Sequence, residues 1–142
     1  MTYATQAELV ERFGETMLID LTDRVDPPAG AIDSGVVTDA LADTDAMIDG
    51  YLLNRYQLPL ATTPALLNDL AKAIAIYKLH RDSVSDKIRA DYQDALKTLK
   101  QIADGVVRLN VAGVEPASSG ATGVRVTDRP RDFTPDNLKG FI

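Results

Sequence analysis

Three groups of residues are of types that could do chemistry. The first is Asp43-Thr44-Asp45 followed by Asp49-Gly50, whose oxygens and glycine suggest a calcium loop. Such a loop needs a third oxygen ligand two residues after the second, with the glycine next and a closing glutamate. Met47 stands at the third ligand position and no such glutamate follows. On an intact helix these carboxylates also spread round the cylinder instead of converging, so they read as a solvated helix face. The second is His80, the single histidine. No nucleophile accompanies it in a recognisable pattern and no second histidine can complete an imidazole cage, so its expected role is to meet the carbonyl end of a helix. The third is the spaced set Arg125, Arg129 and Arg131 beside Phe133, which suits docking, with charges to orient and an apolar anchor to bury. The chain has no Gly-rich phosphate loop, no thiol and no serine elbow, so no cofactor is implied and the chain does not read as an enzyme.

Helices must position these groups. Thr5-Gln6-Ala7-Glu8 fits a capping box, with Thr5 accepting from the N–H three residues on and Glu8 reaching back. A short helix through Leu9, Val10 and Phe13 should stop at Gly14, with another turn over Leu18, Ile19 and Leu21. Between Asp20 and Gly35, Pro27-Pro28, Gly30 and several aspartates predict a loop. Ser34 is the expected cap of a first long helix over roughly residues 36–55. Val37, Leu41, Thr44, Ile48, Tyr51 and Leu52 share its apolar stripe, and Asp39, Asp43, Asp45 and Asp49 form an acidic side off it.

That pattern breaks at Tyr56-Gln57-Leu58-Pro59-Leu60, because Pro59 lacks an N–H and pushes Leu58 towards extended geometry. Thr63-Pro64 predicts a restart, with Thr63 as cap and Pro64 at the first helical position. The second long helix, to about Arg81, carries Leu67, Leu70, Ile74 and Tyr77 on one stripe, widened by Leu66, Ala73 and Ile76. So much apolar surface places it centrally in its own domain and against a neighbouring subunit. The corner between the two helices is greasy for a loop. Tyr56, Leu58, Pro59 and Leu60 need cover from the chain or from another subunit, which makes them candidate contacts.

A third long helix starts near Ser85 or Asp86 and keeps Ile88, Tyr92, Ala95, Leu96, Leu99, Ile102, Ala103 and Val106 in step. Gly105 can end it in left-handed geometry, and residues 106–109 look extended. The fold class is therefore all-α: a bundle of about three long helices and a short N-terminal one over residues 1–110. Composition changes after Asn110 to Ser, Gly, Pro and Thr, so residues 111–142 read as an extended C-terminal arm. Val124-Arg125-Val126 alternates like an edge strand, and Thr134-Pro135-Asp136 could start a last turn carrying Leu138, Phe141 and Ile142. The arm either docks on a neighbour or folds back on its own bundle.

Composition bounds the partners. The chain has 142 residues, a net charge of −6 and no cysteine, which excludes disulfides and thiolate metal sites. No Lys/Arg cluster precedes the arm, so tight nucleic-acid binding is not expected. The N-terminal residues lack a basic start followed by an apolar core, and no apolar run approaches a membrane span, so a soluble, cytoplasmically made protein with no membrane partner is expected.

Tyr51-Leu52, Arg55-Tyr56-Gln57-Leu58-Pro59-Leu60 and Pro64 resemble the signature of the Mu-type phage neck proteins, a family of head–tail connectors or adaptors that complete the head. Tyr3-Ala4-Thr5, Arg12-Phe13-Gly14, Leu21-Thr22-Asp23, Tyr92, Ala95, Leu99, Ile102-Ala103 with Gly105, and the closing Leu138-Lys139-Gly140-Phe141 extend the likeness over nearly the whole chain. The resemblance implies a structural virion protein, made in the bacterial host cytoplasm and placed at the virion neck. It implies a homo-oligomeric ring of about a dozen copies between the portal protein and the tail or tail-terminator protein. DNA would pass through the ring without specific binding, with the acidic side of the first long helix facing either the channel or solvent. In that setting the arm, from Arg125 to Ile142, is the candidate for reaching the portal or an adjacent subunit. A reading of another class is a small helical adaptor or regulator that binds one protein partner through its C-terminal tail.

Overall fold

The computed structural model of the chain describes residues 1–111. It contains five α-helices in the order α1 (Gln6–Phe13), α2 (Glu15–Thr22), α3 (Ser34–Leu52), α4 (Ala65–Leu79) and α5 (Asp86–Ala103), with no strand among the described residues. The all-α architecture is as expected. The proposed arm, with Arg125, Arg129, Arg131, Phe133, Leu138, Phe141 and Ile142, lies outside the described residues.

The capping box forms as read: the Thr5 hydroxyl accepts from the Glu8 N–H, and the Glu8 carboxylate accepts from the Thr5 N–H at 2.8 Å. Ala4 and Leu9 occupy the two positions of a hydrophobic staple and are both buried in the main core. Gly14 closes α1 and opens α2 at φ +90, a conformation that costs residues with a Cβ. The turn expected after it is a full helix, α2, which buries Leu18 and Thr22.

Three helix boundaries differ from the sequence reading. Asp33, not Ser34, caps α3, its carboxylate accepting from the N–H groups of Gly35 and Val36. Asp33 wins because the Thr22 hydroxyl accepts its own N–H at 3.0 Å, fixing it in extended geometry ahead of the helix. α3 ends at Leu52, earlier than expected, and residues 53–55 continue only as turn, with the N–H groups of Arg55 and Tyr56 both donating to the Leu52 carbonyl. Pro64, not Thr63, is the cap of α4, and no side-chain oxygen is used there.

α4 is the central element. It packs against α1, α3 and α5, and Leu67, Leu70, Ala71, Ala73, Ile74, Ala75, Ile76 and Leu79 are buried. Ala71, Ala73 and Ala75 sit where long side chains would hold the neighbouring helices apart. Leu66, expected to widen this stripe, is 38% exposed, whereas Leu67 beside it in the first turn is fully buried. Tyr77 of α4 stacks on Tyr92 of α5 with ring centroids 3.9 Å apart and planes within 4°.

α5 is capped by Ser85 and buries Ile88, Ala95, Leu99 and Ile102. Val106 was expected to keep step with them but is 74% exposed. The helix has ended at Ala103, and Gly105 at φ +78 turns the chain away before Val106 is reached. The N–H groups of Val106 and Val107 then donate back to the Gln101 carbonyl, satisfying the helix end.

Candidate functional site

The acidic residues of α3 fall into two separate groups, because positions 39 and 43 lie on a different side of a helix from 45 and 49. Asp45 and Asp49 are half-buried and engaged by the N-terminal residues. Asp45 Oδ1 accepts the backbone N–H of Tyr3 at 3.0 Å, and the Tyr3 hydroxyl donates to Asp49. The Asn68 amide donates to the Tyr3 carbonyl and to Glu8, both at 2.9 Å, so α4 closes the clamp from its other side. Tyr3 is 1% exposed. Burial, with the facing Asp49 carboxylate, pushes its hydroxyl well above the ordinary tyrosine range. Burial also pushes Asp45 up, partly offset by the Tyr3 N–H bond, while the Thr5 N–H holds Glu8 below the usual carboxylate range. This clamp was missed from sequence, although the run Tyr3-Ala4 directly ahead of a capping box was a usable signal for chain pinned to the bundle.

Asp39 and Asp43 are exposed and line a cleft of about 390 Å³ together with Arg24, Val36, Ala40, Lys78 and Leu79. Arg24 is held there by bonds to the carbonyls of Leu21 and Leu79. Partial burial lowers the Lys78 ammonium from its ordinary range, opposed by the nearby Asp43 charge. Such a surface offers paired charges over an apolar floor. It brings together no nucleophile–base pair, and no group of three or more metal-ligating side chains occurs among the described residues.

The corner between α3 and α4 takes most of its cover from this same chain. Tyr56 and Leu60 are 4% and 6% exposed within the main core. The Tyr56 hydroxyl accepts the Leu109 N–H at 3.1 Å, tying the corner to the segment after α5. Of the four corner residues, Leu58 is half-buried and Pro59 exposed, so these two retain surface. Close by, the Arg55 guanidinium lies directly over Gly105, where an added Cβ would stand 2.5 Å from it. Its charge meets the carbonyl end of α5. His80 occupies the corresponding place after α4, its Nδ1 2.8 Å from the Ile76 carbonyl.

Comparison with known proteins decides the lineage. The family described as Bacteriophage Mu, Gp36 matches residues 3–128. The chain belongs to this family. Gene product J of Escherichia phage Mu is 36% identical over 143 residues, covering 100% of both chains. The Mu-like prophage FluMu protein gp36 of Haemophilus influenzae is 31% identical over 140 residues, covering 99% of this chain and 98% of its own. As a member of the Mu Gp36 family this is a phage protein. None of its described helices is long and apolar enough to cross a membrane. The family match takes in the Tyr3 clamp, the corner and the cleft, and runs past the described residues as far as position 128.

Proposed function

We propose that this member of the Mu Gp36 family is a structural head–tail connector of the virion neck, assembling as a ring between portal and tail and extending the DNA channel. The observation that supports the reading is the end-to-end match to phage Mu and Mu-like prophage proteins, joined to the neck-protein signature in the α3–α4 corner. A bundle locked by its own N-terminal clamp and corner suits a rigid wedge in such a ring. The exposed part of the corner, Leu58 and Pro59, and the segment 112–142 are the proposed contacts with neighbouring subunits and the portal. Repetition round a ring gives firm attachment from individually weak contacts. DNA passes through without being held, consistent with the net charge of −6.

Negative-stain imaging and native mass of the protein, alone and mixed with the portal of its own phage, test this. Uniform rings, or portals that gain a collar, are expected. A protein that stays single and leaves portals bare at micromolar concentration would overturn the connector reading.

A further inference from the structure

The corner end of the bundle carries most of the apolar surface that the described residues leave bare. α3 and α5 finish there and α4 begins there: the Arg55 guanidinium lies over Gly105, the Tyr56 hydroxyl accepts the Leu109 N–H, and Tyr3 is bonded to both Asp49 and Asn68. Five large apolar side chains are exposed among the described residues, namely Met1, Val25, Leu53, Leu66 and Val106. Val25 lies in the loop before α3, whereas the other four belong to the corner end, Met1 by its place two residues ahead of Tyr3.

The connection between α3 and α4 is also bare of charge. Nine residues between positions 53 and 66 are exposed and none of them is charged, in a chain of 25% charged residues. The one charged side chain in that stretch, Arg55, is half-buried and turned onto Gly105. Asp104 and Arg108, one of each sign, are exposed on either side of Val106. A surface depleted of charge and carrying bare leucines suits cover by an apolar segment, and offers nothing to the phosphates of a nucleic acid.

The chain itself supplies such a segment. Leu109 is bonded into the corner, so the residues that follow Val111 leave from this same end. Residues 112–132 contain no Leu, Ile, Met or aromatic residue, whereas residues 133–142 hold Phe133, Leu138, Phe141 and Ile142 with one charge of each sign, Asp136 and Lys139. The twenty-one residues 112–132 can span at most about 70 Å, against about 27 Å for the whole length of the 18-residue α5. We propose that residues 133–142 dock on the charge-free corner end of their own chain and cover Leu53, Leu58, Pro59 and Leu66. A tether of this length sets a local concentration on the order of millimolar, which favours the chain's own segment over that of a second copy at micromolar concentration. The inference goes beyond the connector reading, which concerns the assembled ring. In the free chain the two proposed contact regions satisfy each other, and a neighbour or portal must displace the segment before it can use either.

The chain has no cysteine, so introduced pairs report the docking without ambiguity. In full-length protein Lys139→Cys is combined either with Gln57→Cys at the corner or with Ser83→Cys in the loop between α4 and α5, at the opposite end; Gln57 and Ser83 are both exposed. With glutathione disulfide as oxidant, the pair containing Gln57→Cys should close within one chain at least about tenfold faster than the pair containing Ser83→Cys. Adding Leu138→Asp and Phe141→Asp should bring the two rates to within about twofold of each other, and circular dichroism checks that each protein is folded. Equal rates without the aspartates, or a disulfide that forms between chains at micromolar protein instead of within one, would overturn the proposal. On portals, the closed corner pair should form collars at least about tenfold less well than the same protein after reduction. Equal collars in both states would overturn the displacement on assembly. A protein that closes at the corner yet never forms collars, reduced or closed, would support the docking and overturn the connector reading alone.

Discussion

At the scale of single residues, two buried threonines show how much a hydrogen bond depends on what it leaves behind. Thr22 and Thr44 are both 0% exposed, and each hydroxyl donates at 2.7 Å to the carbonyl four residues earlier. Only Thr22 also accepts, from the Asp33 N–H that precedes the cap of α3. Thr44→Val should therefore be nearly neutral, while Thr22→Val should cost about 1–2 kcal/mol by orphaning that N–H; denaturant unfolding of the two variants checks the contrast. Asp45 gives a pH prediction. Its carboxyl is raised above the ordinary 3.8 in the folded protein, so between the two values the native state binds more protons than the unfolded chain. That term favours the fold at low pH and is lost as pH rises through the raised value. Asp45→Asn keeps an oxygen for the Tyr3 N–H and should flatten the stability profile in the window above 3.8, without loss of stability at neutral pH. An unchanged profile would show that Asp45 does not titrate differently in the fold.

At the scale of elements, the ends of helices were harder to read than their faces. The stripes of α3, α4 and α5 were legible because a period of 3.6 exposes a buried face directly in sequence. The caps were not, because Asp33, Ser34, Thr63 and Pro64 are all acceptable cap-region residues and the choice depends on partners such as the Thr22 hydroxyl. The end of α5 is the most constrained. Gly105→Ala combines a positive φ with a Cβ 2.5 Å from the Arg55 guanidinium and should cost about 2 kcal/mol, against about 1 kcal/mol for Gly30→Ala, whose φ of +68 comes with no neighbour within 4 Å. Combining Arg55→Ala with Gly105→Ala should give less than the sum of the two single costs. Strict additivity in thermal melts would mean that the contact is not felt.

At the scale of the whole molecule, the described residues end on a segment packed into the bundle. Leu109 is buried, its N–H is bonded to Tyr56, and Val111 packs partly against the main core. A chain ending there should keep its helical circular dichroism and melt within a few degrees of the full chain, while losing portal attachment if residues 112–142 carry it. A truncated protein that fails to fold would show that the bundle needs the segment for its own stability.

What the sequence determined alone was local. Helical periodicity, the capping box at Thr5 and the break at Pro59 follow from residue types at fixed separations along one chain. Only the tertiary structure decided which acidic residues remain at the surface. Asp45 and Asp49 are indistinguishable in pattern from Asp39 and Asp43, yet Tyr3, forty-six residues from Asp49, engages Asp45 through its backbone N–H and Asp49 through its hydroxyl and leaves both half-buried. The corner residues Tyr56 and Leu60 found their cover in the same way, from the core and from Leu109, fifty-three residues on from Tyr56. Such partners are set by how helices pack, and packing is a property of the assembled surfaces instead of the spacing within any one of them.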